Sequence, residues 1–196
     1  MLVQIVLLLA STLCDLLSVV LLIRFLLQAR RAPAHVWRGP IGQFVLAATN
    51  WMVLPLRRVV PSAFGYDTSS LLLAWFWQSA FLGIATLLGG MAGGMSGGSL
   101  PLPAVILFGL LELAKMVLYL AMGVVIVAAI FSWVNPHAPA AEIFHELSRP
   151  LLRPFQRLLP ALGGVDLSPL LLILVLQVLL IVLAGLRGSL LPLLYT

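Results

Sequence analysis

The sequence predicts an all-α polytopic membrane protein. Four transmembrane helices form two hairpins of the same orientation, each with an amphipathic segment on its cytoplasmic side. Three observations predict this. Hydrophobic residues make up 62% of the chain and charged residues only 9%, against about 25% charged in a soluble domain. So little polar material cannot cover a water-facing surface, and the solvent must largely be lipid. Four apolar runs are long enough to cross a hydrocarbon core of about 30 Å. Finally, the two halves of the chain match each other at a fixed offset of 99 residues.

The first span is Leu2 to Leu27. It is too long for a signal-peptide core, has no basic residue before it, and holds Asp15 and Arg24. Gln28 to Arg38 is basic, with Arg30, Arg31, His35 and Arg38. Ile41 to Pro61 is apolar but interrupted by Gln43, Asn50, Pro55, Arg57 and Arg58, which suits an interfacial or re-entrant helix better than a span. The second span runs from Ser69 to about Leu88, with Trp75, Phe76 and Trp77 near its start. Residues 89–102 form a glycine-rich, uncharged linker. They separate a first repeat, 1–88, from a second, 103–196.

Pro103 to Val134 is the third span, longer than a bilayer requires and carrying Glu112 and Lys115. Asn135-Pro136 ends it. In Ala141 to Pro160, Ile143, Leu147, Leu151, Phe155 and Leu158 recur at helical spacing, with charged residues on the other face. Pro150 and Pro154 would each cost a helix interior about 3 kcal/mol, so a kinked pair of short helices on the membrane surface is expected. Ser168 to about Leu186 is the fourth span. Asp166 or Ser168 caps it, and Pro169 suits its first turn.

Charge orients these elements. Arg30, Arg31, Arg38, Arg57, Arg58, Arg149, Arg153 and Arg157 lie in the loops inside the two hairpins, and the glycine linker has no basic residue. The positive-inside bias puts both loops in the cytoplasm and both termini outside. The net charge of +5 sits beside apolar spans, so anionic lipid headgroups explain it and nucleic acid does not.

The internal match pairs Pro55 with Pro154, Arg58 with Arg157, Pro61 with Pro160, Gly65 with Gly164, Asp67 with Asp166, Ser69 with Ser168 and Gln78 with Gln177. Leucine matches are cheap in such a chain; these residue types are not. Two spans per repeat give the halves the same orientation, related by an axis along the membrane normal.

Phe131-Ser-Trp-Val-Asn-Pro136, Ser148-Arg-Pro-Leu-Leu-Arg-Pro-Phe-Gln-Arg-Leu-Leu-Pro160 and Gly163-Gly-Val-Asp-Leu-Ser-Pro169 resemble the signature of the YggT family. These are small bacterial membrane proteins, often with two tandem copies of the unit, with relatives in cyanobacteria and chloroplasts. The resemblance covers both halves. The first half departs from it, with Thr49-Asn50-Trp51 in place of Ser148-Arg149-Pro150 and no Trp-Val-Asn-Pro exit. Arg24 looks like the arginine that the family carries near that helix end, and the second half has Ala128 near the corresponding place. The resemblance implies no enzyme activity. It implies an inner-membrane protein linked to osmotic-stress tolerance or to cell-division or nucleoid roles, and, in photosynthetic relatives, to haem attachment to a cytochrome b.

The candidate polar network within the spans is Asp15, Arg24, Gln78, Glu112, Lys115 and Gln177. Charges there are costly and should be paired or wet. Glu112 and Lys115 share a helix face and can pair locally. Asp15 is expected to meet a partner on another helix, with Lys115 a candidate, and Arg24 to snorkel. Gln78 and Gln177 are expected to hydrogen-bond across helices. Asp67, Ser69, Asp166 and Ser168 read as helix-entry turns. Arg57, Arg58, Arg149, Arg153 and Arg157 read as contacts to phosphate headgroups or to a partner protein.

His35, His137 and His145 read as solvent or interface histidines. Cys14 reads as a small buried hydrophobe. No residue pattern implies a catalytic nucleophile, a metal or a cofactor. The leading expectation is therefore a non-enzymatic accessory or scaffold protein of the bacterial cytoplasmic membrane. Its partners would be the bilayer, a membrane protein or a second copy in a homo-oligomer. The alternative is a small channel or transporter acting in osmotic response.

Overall fold

Apolar runs in a lipid solvent must satisfy every backbone group internally, and a helix does so within one segment. The computed structural model describes residues 2–30, 33–58, 67–91, 101–135, 138–158 and 166–194, and all its regular elements are helices. They are α1 (Leu2–Ala29), α2 (Ala34–Arg38), α3 (Pro40–Arg57), α4 (Thr68–Met91), α5 (Leu102–Val134), α6 (Pro139–Leu158) and α7 (Ser168–Leu194). Four of them, α1, α4, α5 and α7, are long and apolar enough to cross a membrane. Large apolar side chains along all four are exposed, among them Leu9, Ile84, Ile130 and Ile181, as helices bathed in lipid require. Arg31, His137, Gly65, the 92–100 part of the linker and the Gly163-Gly164 turn lie outside the described residues.

The chain divides into two compact units, Met1–Met116 with Gly185–Thr196, and Val117–Ala184. In the first, α1 lies against α3 and closely along α4, and α2 folds onto α3. Leu21, Leu22, Leu27, Val45, Val53 and Ala74 are buried there. Gly42 permits the α2–α3 corner, since a Cβ at that position would stand 2.4 Å from the Val36 carbonyl oxygen. Gly109 permits close approach of α5 to α4, since its Cβ would stand 2.9 Å from Ser79 Cα. Small residues commonly seat such contacts between membrane helices.

In the second unit, Val125 of α5, Leu152 of α6, and Leu172 and Leu176 of α7 form the core, with Phe155 and Ile173 packed against it. Phe131 stacks on Phe144 with ring centroids 5.9 Å apart. On α6, Ala141, Ser148 and Leu152 are buried, while Glu146, Arg149, Arg153 and Arg157 are exposed.

Two expectations need correction, and one helix was not foreseen. Ala141 to Pro160 is not a pair of short helices: α6 is continuous across Pro150 and Pro154. Both prolines lie on a helix with an exposed polar side, where carbonyls that lose their N–H partner can be met by solvent. The basic segment after the first span contains a helix of its own, α2, closed by a Gly39 N–H to Val36 carbonyl bond. The last helix extends past Leu186 to Leu194, its membrane-spanning stretch to Leu190, and carries Arg187 within it.

Candidate functional site

Asp67 stands just before α4, where its carbonyl accepts the Ser70 N–H at 3.1 Å and opens the first turn. Its side chain is fully buried, and so, nearly, is that of Arg24 near the end of α1. Arg24 Nε donates to Asp67 Oδ2 at 3.3 Å. Its Nη1 donates to Thr49 Oγ1 at 2.6 Å and to Asn50 Oδ1 at 2.8 Å, both on α3. Arg57, at the end of α3, donates from Nη2 to Asp67 Oδ2 at 2.8 Å and to Gln28 Oε1 at 2.9 Å. The Ser70 hydroxyl donates to the same carboxylate at 2.8 Å.

One buried carboxylate thus clamps α1, α3 and the entry of α4. Burial alone would raise the Asp67 carboxyl. The hydrogen bonds from Arg57 and Ser70 and the charges of Arg57 and Arg24 outweigh it and hold the group below its ordinary value.

Two further clusters occupy the spans of the same unit. Gln78 Nε2 donates to Asp15 Oδ1 at 3.0 Å and to Ser18 Oγ at 3.3 Å, joining α4 to α1. Glu112 is paired with Lys115 on its own helix and with Arg187 of α7. The Arg187 guanidinium also lies over the Phe108 ring, 5.9 Å from its centroid, within cation–π range.

The second unit arranges matching residues differently. Asp166 Oδ1 accepts the Ser168 N–H at 2.9 Å, a helix-entry cap, and Asp166 Oδ2 accepts the Gln156 amide at 2.9 Å. Desolvation alone would raise this carboxyl too; the bonds from Ser168 and Gln156 lower it. No lysine or arginine pairs with Asp166 among the described residues. A cavity of about 710 Å³ opens beside it, lined also by Ala128, His145, Gln156 and Gln177.

The six intramembrane candidates therefore do not form one network. Asp15 meets Gln78, and Lys115 meets Glu112, so the Asp15–Lys115 pairing is replaced by two closer matches. Arg24 does not snorkel: α3 and Asp67 offer it three acceptor oxygens in a buried site, which outcompetes a reach to the surface. Gln177 makes no cross-helix hydrogen bond among the described residues; the α5 segment of its unit carries no carboxylate to receive one. Asp67 is an ion-pair centre as well as a helix entry, and buried Ser69 and Ser168 stand beside the two aspartates. Arg57 is engaged by Asp67 and Gln28, whereas Arg58, Arg149, Arg153 and Arg157 are exposed.

Sequence reasoning missed Gln28, Thr49, Ser70, Ser18 and Arg187 as partners. Thr49 and Asn50, adjacent polar residues inside an apolar run, were the available signal for the Arg24 site. Among the described residues no group of histidine, cysteine and carboxylate side chains could hold a metal. The arrangement neutralises charge and fastens helices.

The family model described as CCB3/YggT matches residues 3–88 and 107–187. A protein from Vibrio alginolyticus, "Uncharacterized protein in proC 3'region", is 37% identical over 171 residues, covering 86% of this chain and 88% of its own. "Uncharacterized protein YggT" of Escherichia coli K12 is 37% identical over 171 residues, covering 87% and 84%. An uncharacterized protein of Pseudomonas aeruginosa is 34% identical over 162 residues, covering 82% and 78%. No solved structure matches the chain.

Proposed function

The chain belongs to the CCB3/YggT family, and from that premise we propose that it is a non-enzymatic accessory or scaffold protein of the bacterial cytoplasmic membrane. Its action would lie in osmotic-stress tolerance, cell division or assembly of a membrane complex. The observation that carries this reading is that four cations in or beside the spans of the first unit are closed on carboxylates: Arg24 and Arg57 on Asp67, Lys115 and Arg187 on Glu112. Pathway groups in transporters line water-filled cavities; these hold helices together. The exposed arginines of α6, Arg149, Arg153 and Arg157, then supply the outward contact, to anionic headgroups or to a membrane-protein partner. With them in the cytoplasm, the termini face outward.

Purified protein in liposomes tests the reading directly. Ion- and osmolyte-loaded vesicles containing the protein are expected to leak no faster than empty ones. Protein-dependent flux would favour the channel or transporter alternative instead.

A further inference from the structure

We propose that the cavity of the second unit is a binding site for an aminophospholipid, its headgroup ammonium on Asp166 and its acyl chains along the apolar walls. The inference does not depend on the accessory role. In the first unit the equivalent carboxylate is answered by cations. Asp67 takes two guanidinium groups, Arg24 from the first span and Arg57 from α3. At the offset of 99 residues, Asp166 stands for Asp67 and Gln156 for Arg57. Ala128, six residues before the end of α5, stands near the place of Arg24, five before the end of α1. Asp166, Gln156 and Ala128 all line one cavity. The carboxylate is kept, both cations are gone, and space remains where they would lie.

That space sets the chemistry of its occupant. A carboxylate offers about four lone-pair sites, and Asp166 uses one bond to Gln156 and one to the Ser168 N–H. A cation completes it. The volume of about 710 Å³ falls in the range of roughly 300–1,000 Å³ typical of small-molecule sites, so the guest has a body as well as a charge. The walls away from Asp166 are mostly apolar, with Ser132 and Gln177 among them. Ile130 and Trp133 of α5 and Leu170 and Leu174 of α7 line the cavity and are exposed on membrane-spanning helices. A guest that arrives from the hydrocarbon side with its cation at a helix entry is a lipid. Beside the cavity, a crevice of about 560 Å³ shares His145, Leu152 and Gln156 with it and is lined by Arg149 together with Glu142 and Glu146. Within that crevice Arg149 is the basic group that the phosphate next to the ammonium would meet.

The full chain is reconstituted in nanodiscs of equal parts phosphatidylethanolamine and phosphatidylglycerol, transferred to mild detergent, and its retained lipid measured by mass spectrometry. Wild type is expected to retain the ethanolamine lipid over the glycerol lipid by about tenfold, as one charge-assisted contact supports. Asp166→Asn removes the charge but keeps the acceptor for Ser168, and should bring the ratio to parity with the fold intact. Ala128→Arg returns a guanidinium to the cavity and should likewise displace the lipid, with a melting temperature no lower than wild type. Soluble glycerophosphoethanolamine in excess should leave the lipid in place. Parity in wild type, an undiminished ratio in Asp166→Asn, or preference for the glycerol lipid overturns the proposal. Displacement by the soluble headgroup overturns the lipid assignment, and a crosslink from position 166 to an arginine of another protein in membranes would replace the lipid by a partner.

Discussion

Asp67→Asn is expected to destabilise the first unit by about 3 kcal/mol, because it leaves Arg24 buried with no counter-charge. Thr49 and Asn50 would still accept hydrogen bonds from Arg24, but neither carries charge. Arg24→Met should cost less, since Asp67 keeps Arg57 at 2.8 Å. The double replacement Arg24→Met with Asp67→Asn should recover much of the loss, because removing a buried pair together is often nearly neutral. Melting midpoints of the purified proteins in one detergent check the ranking; an Asp67→Asn midpoint equal to wild type would refute it.

The same pair carries a pH dependence. The folded Asp67 value lies below the unfolded one, so its contribution is complete above the unfolded value, about 3.9. It is lost as pH falls through the lower folded value. Asp67→Asn should therefore remove part of the acid sensitivity of the midpoint.

Glu112→Gln is expected to have the next largest effect, about 2 kcal/mol, because it strands two cations in membrane-spanning helices. Lys115 and Arg187 are each partly exposed, and their long stems can carry some charge toward the interface, which keeps the loss below that of Asp67→Asn. Lys115→Met alone should be mild, since Arg187 still answers Glu112. Expression level in membranes and resistance to denaturing detergent measure both. If Glu112→Gln and Lys115→Met behave alike, Arg187 is not a partner.

Much of this architecture was legible in the residues. Each of the four spans is a run of apolar side chains, and a lipid solvent turns such a run into a helix wherever it falls. The Glu112–Lys115 pair was legible too, because three residues on a helix bring two side chains to one face. The amphipathic character of α6 follows from the same periodicity. What its two prolines would do was less legible. Proline propensity is measured in helix interiors surrounded by intact hydrogen bonds, whereas α6 has an exposed polar face that can hydrate what the rings leave open.

The candidate site was legible in its members and not in its pairings. Arg24 and Asp67 are 43 residues apart, and Glu112 and Arg187 are 75 apart. A lone arginine near a helix end is compatible with snorkelling or with burial. Only the presence of a carboxylate on a neighbouring element decides between them. Arg187 was hidden for another reason: the apolar pattern continues beyond it, so the span extends further than its strongest stretch and takes the arginine with it.

By itself, the sequence determined the solvent, the helices, the tandem halves and the family, because composition and periodicity act residue by residue and need no knowledge of neighbours in space. Only the tertiary structure decided which charges are spent on one another. It closed Arg24 and Arg57 on Asp67, and it left the matching Asp166 beside an open cavity with Ala128 and Gln156 in their places. A charge-assisted hydrogen bond needs donor and acceptor within about 3 Å, so the same carboxylate is a clamp on two arginines in one unit and, in the other, accepts from Ser168 and Gln156.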